Sequence, residues 1–131
     1  MTYQSPLRDM RFILEHVVDL PSISRLPGME EFSDELAWAV LDEAAKFASG
    51  VLAPLNRVGD EQGCSVEDGR VRTPDGWKEA FEQFREGGWI GLHMPTQYGG
   101  QGLPKILAAP ISEMWNSANH AFSLLPPLNA A

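Results

Sequence analysis

The amino-acid sequence predicts an all-α domain, and three observations carry that prediction. Leu36, Val40, Ala44, Phe47, Val51 and Leu55 recur at spacings of three and four, with Ala37, Leu41, Ala48 and Leu52 beside them, a wide apolar stripe of helical period. Leu107, Ile111, Met114, Trp115, Ala118, Phe122 and Leu125 repeat the pattern near the end of the chain. No internal repeat and no multi-strand alternation interrupts these segments. At 131 residues, 44 % of them apolar, the chain is sized for one domain with a packed core.

Taken in order, Ser5-Pro6 reads as an N-cap followed by proline at the first helical position, and Leu7, Met10, Leu14 and Val17 predict a short helix to about His16. Residues 19–32, with prolines at 21 and 27, read as an extended connector. Ser33 caps the long helix, with Asp34 and Glu35 in its first turn, where the helix dipole favours acids. Pro54 removes a hydrogen bond late in that helix and should bend it or end its regular part. A long loop is expected at about 59–73, with Val66 and Val71 flanking Asp68-Gly69 as a small two-stranded turn. Thr73-Pro74-Asp75 is a second start signal. Trp77, Ala80, Phe81 and Phe84 form one face of the following helix, and Gly87-Gly88 end it. Pro104 begins the last helical region, where Pro110 either kinks the helix or starts it anew.

Composition narrows the function classes. The net charge is −8, which argues against a nucleic-acid or anionic-membrane surface. A single cysteine, Cys64, excludes a disulfide framework within the chain and makes a reducing, cytoplasmic setting the default. The N-terminus has Asp9 among its basic residues and does not read as a signal peptide, and no apolar run approaches the ~20 residues of a membrane span. The charge is also uneven. Residues 89–131 hold only Lys105 and Glu113, so this segment is either the core of the domain or an apolar face for a partner.

The motif with the sharpest local signal is "MPTQYGGQGLP", Met94 to Pro104. A phosphate loop would need a lysine followed by serine or threonine, and a dinucleotide fingerprint would need G-x-G-x-x-G opening a helix. Here the spacing is G-G-x-G, and Pro104 has no N–H to offer an anion. On physics alone the stretch is a tight connector in which glycine permits positive φ or close backbone approach. His16, His93 and His120 stand at no metal spacing, Cys64 has no CxxC partner, and no Gly-x-Ser-x-Gly elbow exists. Glu113, the one carboxylate of the terminal third, reads as the polar side of an amphipathic helix. Trp38, Trp77, Trp89 and Trp115 read as core or interface fillers.

The order of these pieces resembles the N-terminal helical domain of the flavin-dependent acyl-CoA dehydrogenase family. The hallmark pattern matches at Gly88, Trp89, Gly91, Leu92, Pro95, Tyr98, Gly99, Gly100, Gly102 and Leu103, and Ile111-Ser112-Glu113 matches the helix that follows. Thr96 and Gln97 stand where the family often has glutamates. The opening "YQSPLRDMRFILEHV" is similar to the extra N-terminal segment of a larger-subunit bacterial branch, whose members include enzymes acting on unusual substrates such as methylmercaptopropionyl-CoA. The resemblance implies residues 1–32 as an N-terminal extension and 33–131 as the helical domain, truncated before a middle β domain. The uncharged ending "LLPPLNAA" points the same way.

For the intact parent, the resemblance implies FAD, an acyl-CoA substrate oxidised to the 2,3-enoyl-CoA by α-proton abstraction and β-hydride transfer to FAD, an electron-transfer flavoprotein as electron acceptor, and a homo-oligomer. It places the catalytic base beyond residue 131, so no catalytic residue falls in this chain, which alone should be inactive and hold no FAD tightly. It assigns Phe122, Ser123, Leu125 and Pro126 to the wall of the acyl pocket, although the Pro126-Pro127 pair departs from many members. The competing expectations are a stand-alone helical protein-interaction module and a non-functional truncated gene product.

Overall fold

The computed structural model describes residues 3–125. Six α-helices follow one another: α1 (Leu7–His16), α2 (Asp34–Phe47), α3 (Ala53–Gln62), α4 (Trp77–Glu86), α5 (Ala108–Ala118) and the short α6 (His120–Ser123), with one small hairpin between α3 and α4. The expected all-α architecture is what the chain forms.

The long apolar stripe folds as one continuous helical rod that changes its winding. Ser33 caps α2, its hydroxyl accepting the Leu36 N–H at 3.2 Å. From Ala48 to Leu52 the rod widens into a π turn, in which the Ala53 N–H reaches five residues back to the Ala48 carbonyl. Pro54 supplies the reason. It has no N–H for the Gly50 carbonyl and its ring would crowd that group, so the turn opens and α3 restarts with proline in its first turn.

Four local expectations are corrected. Ser5 does not cap α1, whose N-cap position is Pro6; the Ser5 hydroxyl faces Tyr3 instead. The connector is not extended throughout, because Leu20–Arg25 wind into a 3₁₀ helix that buries Leu20. The loop expected from residue 59 begins only after Gln62, and the Gln62 amide clasps the Asp75 backbone N–H and carboxylate at 2.8 and 3.0 Å, tying the two ends of the excursion. Within it, Ser65–Glu67 and Arg70–Arg72 pair antiparallel with Val66 opposite Val71, and Asp68 and Gly69 both take positive φ, as a two-residue hairpin turn demands. The last helix does not run unbroken. A 3₁₀ turn at Lys105–Leu107 leads into α5, with Pro110 harmless in its first turn, and Asn119 interrupts the helix in an extended conformation.

That interruption is built from a single buried side chain. The Asn119 Oδ1 accepts the Phe122 N–H at 3.0 Å and so caps α6, while its Nδ2 donates to the Leu52 carbonyl in the π turn at 3.2 Å. One amide therefore joins the break in the last helix to the widened turn of the long rod. Around this joint α5 packs on α2 and the π turn. The core is aromatic at its centre: the Phe84 ring lies 4.6 Å from Trp115 and 5.8 Å from Phe122, which in turn lies 5.8 Å from Trp77. Helix α1 joins the same core through Met10 and Leu14.

Candidate functional site

The glycine stretch forms the connection between α4 and α5, and its hydrogen bonds decide what it can do. The N–H groups of Tyr98, Gly99 and Gly100 donate to Pro95, Thr96 and Pro95, and those of Gln101, Gly102 and Leu103 donate to Gly91, Met94 and Leu92, all at 2.9–3.2 Å. Every amide from Tyr98 to Leu103 is thus consumed by the protein's own carbonyls, and none is left to cradle a phosphate. Close approach explains Gly100: a Cβ there would stand 2.0 Å from the Met94 carbonyl oxygen. Gly99, at φ +82°, has open space around it and is required only by its backbone conformation. Tyr98, at the tip, is 79 % exposed.

The two ends of this loop and α5 enclose an apolar groove of about 230 Å³. Its apolar lining, taken as the floor, includes Phe84, Trp89, Ile90, Ile111 and Trp115; its polar lining, taken as the rim, is His93, Ser112, Asn116 and Ser123. Apart from His93, the rim is a polar stripe of helical spacing on α5 and α6. The Asn116 Oδ1 lies 2.8 Å from His120 Nδ1 and 2.9 Å from Ser123 Oγ, and its Nδ2 donates to the Ser112 carbonyl at 2.8 Å. The network fixes the rim side chains against one another, while the rings of Trp89 and Trp115 meet edge-on at 5.2 Å below it. A volume of this size is below the roughly 300–1,000 Å³ of a complete small-molecule site, so the groove can seat a short apolar chain and not a whole coenzyme thioester.

The sequence-predicted pocket residues are distributed. Ser123 lies on the groove rim. Phe122 is wholly buried, its ring held between Trp77 and Phe84. Leu125 stands beside a different depression, with Val71, Trp77 and Phe81. Pro126 lies outside the described residues. Missed by sequence reasoning are Trp89, Ile90, Ile111, Trp115 and Asn116. The helical spacing of Ser112, Asn116 and Ser123 is the signal that could have found the rim.

Titratable chemistry is sparse near the groove. Glu113 is exposed on α5 and is not among the groove's lining residues. Glu30 is held below the usual carboxylate range by the Gly28 N–H, and Lys46 is raised by its hydrogen bond to Glu43; both are exposed and neither lines the groove. Among the described residues no group of three or more His, Cys, Asp or Glu could hold a metal ion, and no helix is long and apolar enough to cross a membrane.

Comparison with known proteins adds two findings. The family model described as the acyl-CoA dehydrogenase N-terminal domain matches residues 34–130. The 3-methylmercaptopropionyl-CoA dehydrogenase of Ruegeria pomeroyi is 41 % identical over 128 residues, which are 98 % of this chain and 22 % of that relative. The chain therefore spans about a fifth of the relative's length, and the aligned part includes nearly everything before residue 34 as well.

Proposed function

The chain belongs to the acyl-CoA dehydrogenase family, as its N-terminal domain, and on that premise we propose that it serves an FAD-dependent enzyme that oxidises an acyl-CoA thioester to the 2,3-enoyl-CoA. The observation that carries this reading is the 41 % identity to a dehydrogenase acting on 3-methylmercaptopropionyl-CoA, sustained over 98 % of the chain. Residues 33–131 act as the helical domain, with 1–32 as an extension packed on it. The contribution of this domain is shape: the Trp89–Ile90–Ile111–Trp115 floor and the Ser112–Asn116–Ser123 rim form part of the wall that receives the acyl chain. An apolar floor favours a hydrocarbon or thioether tail by excluding water, and a rim whose hydrogen bonds are already paired asks nothing of the ligand.

The glycine loop does not fit the pyrophosphate of a flavin. The amides from Tyr98 to Leu103 are all taken by the protein's own carbonyls, and Pro104 has no N–H at the start of the following helical turn. FAD and the base that removes the α-proton belong to residues outside this chain, and so does contact with an electron-transfer flavoprotein. A homo-oligomeric, cytoplasmic enzyme is part of the same proposal.

The test uses the full-length polypeptide that carries this chain, assayed with a series of acyl-CoA thioesters. Bleaching of the flavin by short or thioether-containing acyl-CoAs is expected. Ile90→Trp, which fills the groove, should raise KM for longer chains more than for the shortest. A flavin-loaded protein that no acyl-CoA reduces overturns the reading, and an unchanged chain-length profile in Ile90→Trp removes the groove from it.

A further inference from the structure

A short run of hydrogen bonds decides where the rim of the groove ends. Asn119 leaves α5 in an extended conformation, φ −157° and ψ 92°, and its own N–H makes the last bond of that helix, to the Trp115 carbonyl at 2.8 Å. Its side chain then restarts the helix. Oδ1 accepts the Phe122 N–H at 3.0 Å, and Nδ2 donates to the Leu52 carbonyl at 3.2 Å. Four residues on, the Ser123 hydroxyl lies 2.9 Å from the Asn116 Oδ1 and 2.7 Å from the His120 carbonyl.

The contact between Ser123 and Asn116 could not form on an unbroken helix. Seven residues of α-helix return to nearly the same face but rise ~10.5 Å, more than two short side chains can span. The single extended residue folds α6 back toward the end of α5, and the contact closes. Phe122, which receives the cap, is buried against Phe84, itself part of the groove lining. Asn119 is buried and does not line the groove. All of these contacts lie within the described residues, so they do not depend on what else covers the groove.

We propose that Asn119 is a positioning residue for the choice of acyl tail. By breaking α5 and capping α6 it sets Ser123 and the Phe122–Phe84 pair, and so fixes the outline of the groove. The assignment rests on the reading that this groove receives the acyl tail. Loss of the cap should then blur the choice between tails and spare the chemical step, because a binding wall is pre-organised by the residues that support it.

The test compares Asn119→Ser with Asn119→Ala in the full-length flavoprotein. Both lose the bond to Leu52 and leave nearly the same space, but only serine can still cap α6. Kinetics are measured with saturated acyl-CoAs of increasing tail length. Asn119→Ala should shrink the kcat/KM preference for the best tail over longer ones about fivefold, through KM, with kcat within about twofold of the parent. Asn119→Ser, the conservative variant, should restore the parental profile. Ser123→Ala leaves Asn119 and both its bonds in place and should move the profile toward longer tails by about threefold, which carries the test if Asn119→Ala does not hold flavin. Matching profiles in the serine and alanine variants overturn the proposal and leave Asn119 a role in stability alone. So does a loss of kcat that is the same for every tail, and so does an unchanged profile in Ser123→Ala. A parent flavoprotein that no acyl-CoA reduces is a separate failure: it removes the reading on which the proposal rests, and the proposal with it.

Discussion

Helix α1 and the segment from Trp89 onward exchange the roles that their compositions suggest. The N-terminal region is rich in charge, yet it presents Phe12, Ile13 and Val17 to solvent. The segment from residue 89 has almost no charge, yet Leu92, Leu107, Ile111, Met114, Trp115, Ala118 and Phe122 are all buried within the domain itself. Of the two expectations for that segment, core and partner face, the described part is chiefly core. The lesson is about which quantity to read. Charge per segment reports average polarity, whereas helical period reports which side chains share a face, and only the second decides what is covered.

The comparison breaks most visibly at Phe122. Its ring is fully buried and touches Trp77 and Phe84, so Phe122→Ala should cost about 3–5 kcal/mol in urea unfolding, the range for a large aromatic left as a cavity. A loss under 1 kcal/mol would mean that the segment is not core and that its low charge marks a partner face after all.

Asn119 sharpens the same contrast, because it and Ser123 are the buried polar residues among the described part of the uncharged segment. Asn119→Leu keeps the γ-branched shape, with somewhat more bulk, but leaves the Phe122 N–H without its cap and the Leu52 carbonyl without this donor. A destabilisation of about 1–3 kcal/mol is expected, with faster hydrogen exchange at Phe122. Unchanged exchange there would show that the joint between α6 and the π turn is not held by this amide.

Two glycines in the connecting loop separate close approach from backbone conformation. Gly100→Ala must move the Met94 carbonyl and should be the more damaging. Gly99→Ala meets no atom and should cost only the left-handed penalty of about 1–2 kcal/mol. Thermal unfolding of both variants checks the order, and equal effects would discard the steric account of Gly100.

Much of this was legible beforehand. The stripe from Leu36 to Leu55, the Ser33 cap, the hairpin turn at Asp68-Gly69 and the end of α4 at Gly87-Gly88 all follow from local rules, and local geometry obeys them. The misreadings arose where a tertiary partner outbid local preference. Asn119 looks like one more residue inside a periodic run, and only the Leu52 carbonyl across the core makes it a break. The Leu20–Arg25 turn contains a proline and reads as extended until Leu20 finds the core. For the groove, the family pattern marks the loop but not the floor. Trp89 and Trp115 lie far apart in sequence, and nothing in either neighbourhood says that their rings meet at 5.2 Å.

The smallest effect belongs to neighbouring residues on opposite faces of α1. Leu14 is buried against the core, so Leu14→Ala should cost about 2–5 kcal/mol. Ile13 precedes it by one position and is half exposed, so Ile13→Ala should change stability by less than about 0.5 kcal/mol in urea unfolding. If Ile13→Ala were costly, the outer face of α1 would be covered within the single chain. The contrast with the buried segment after Trp89 would then disappear.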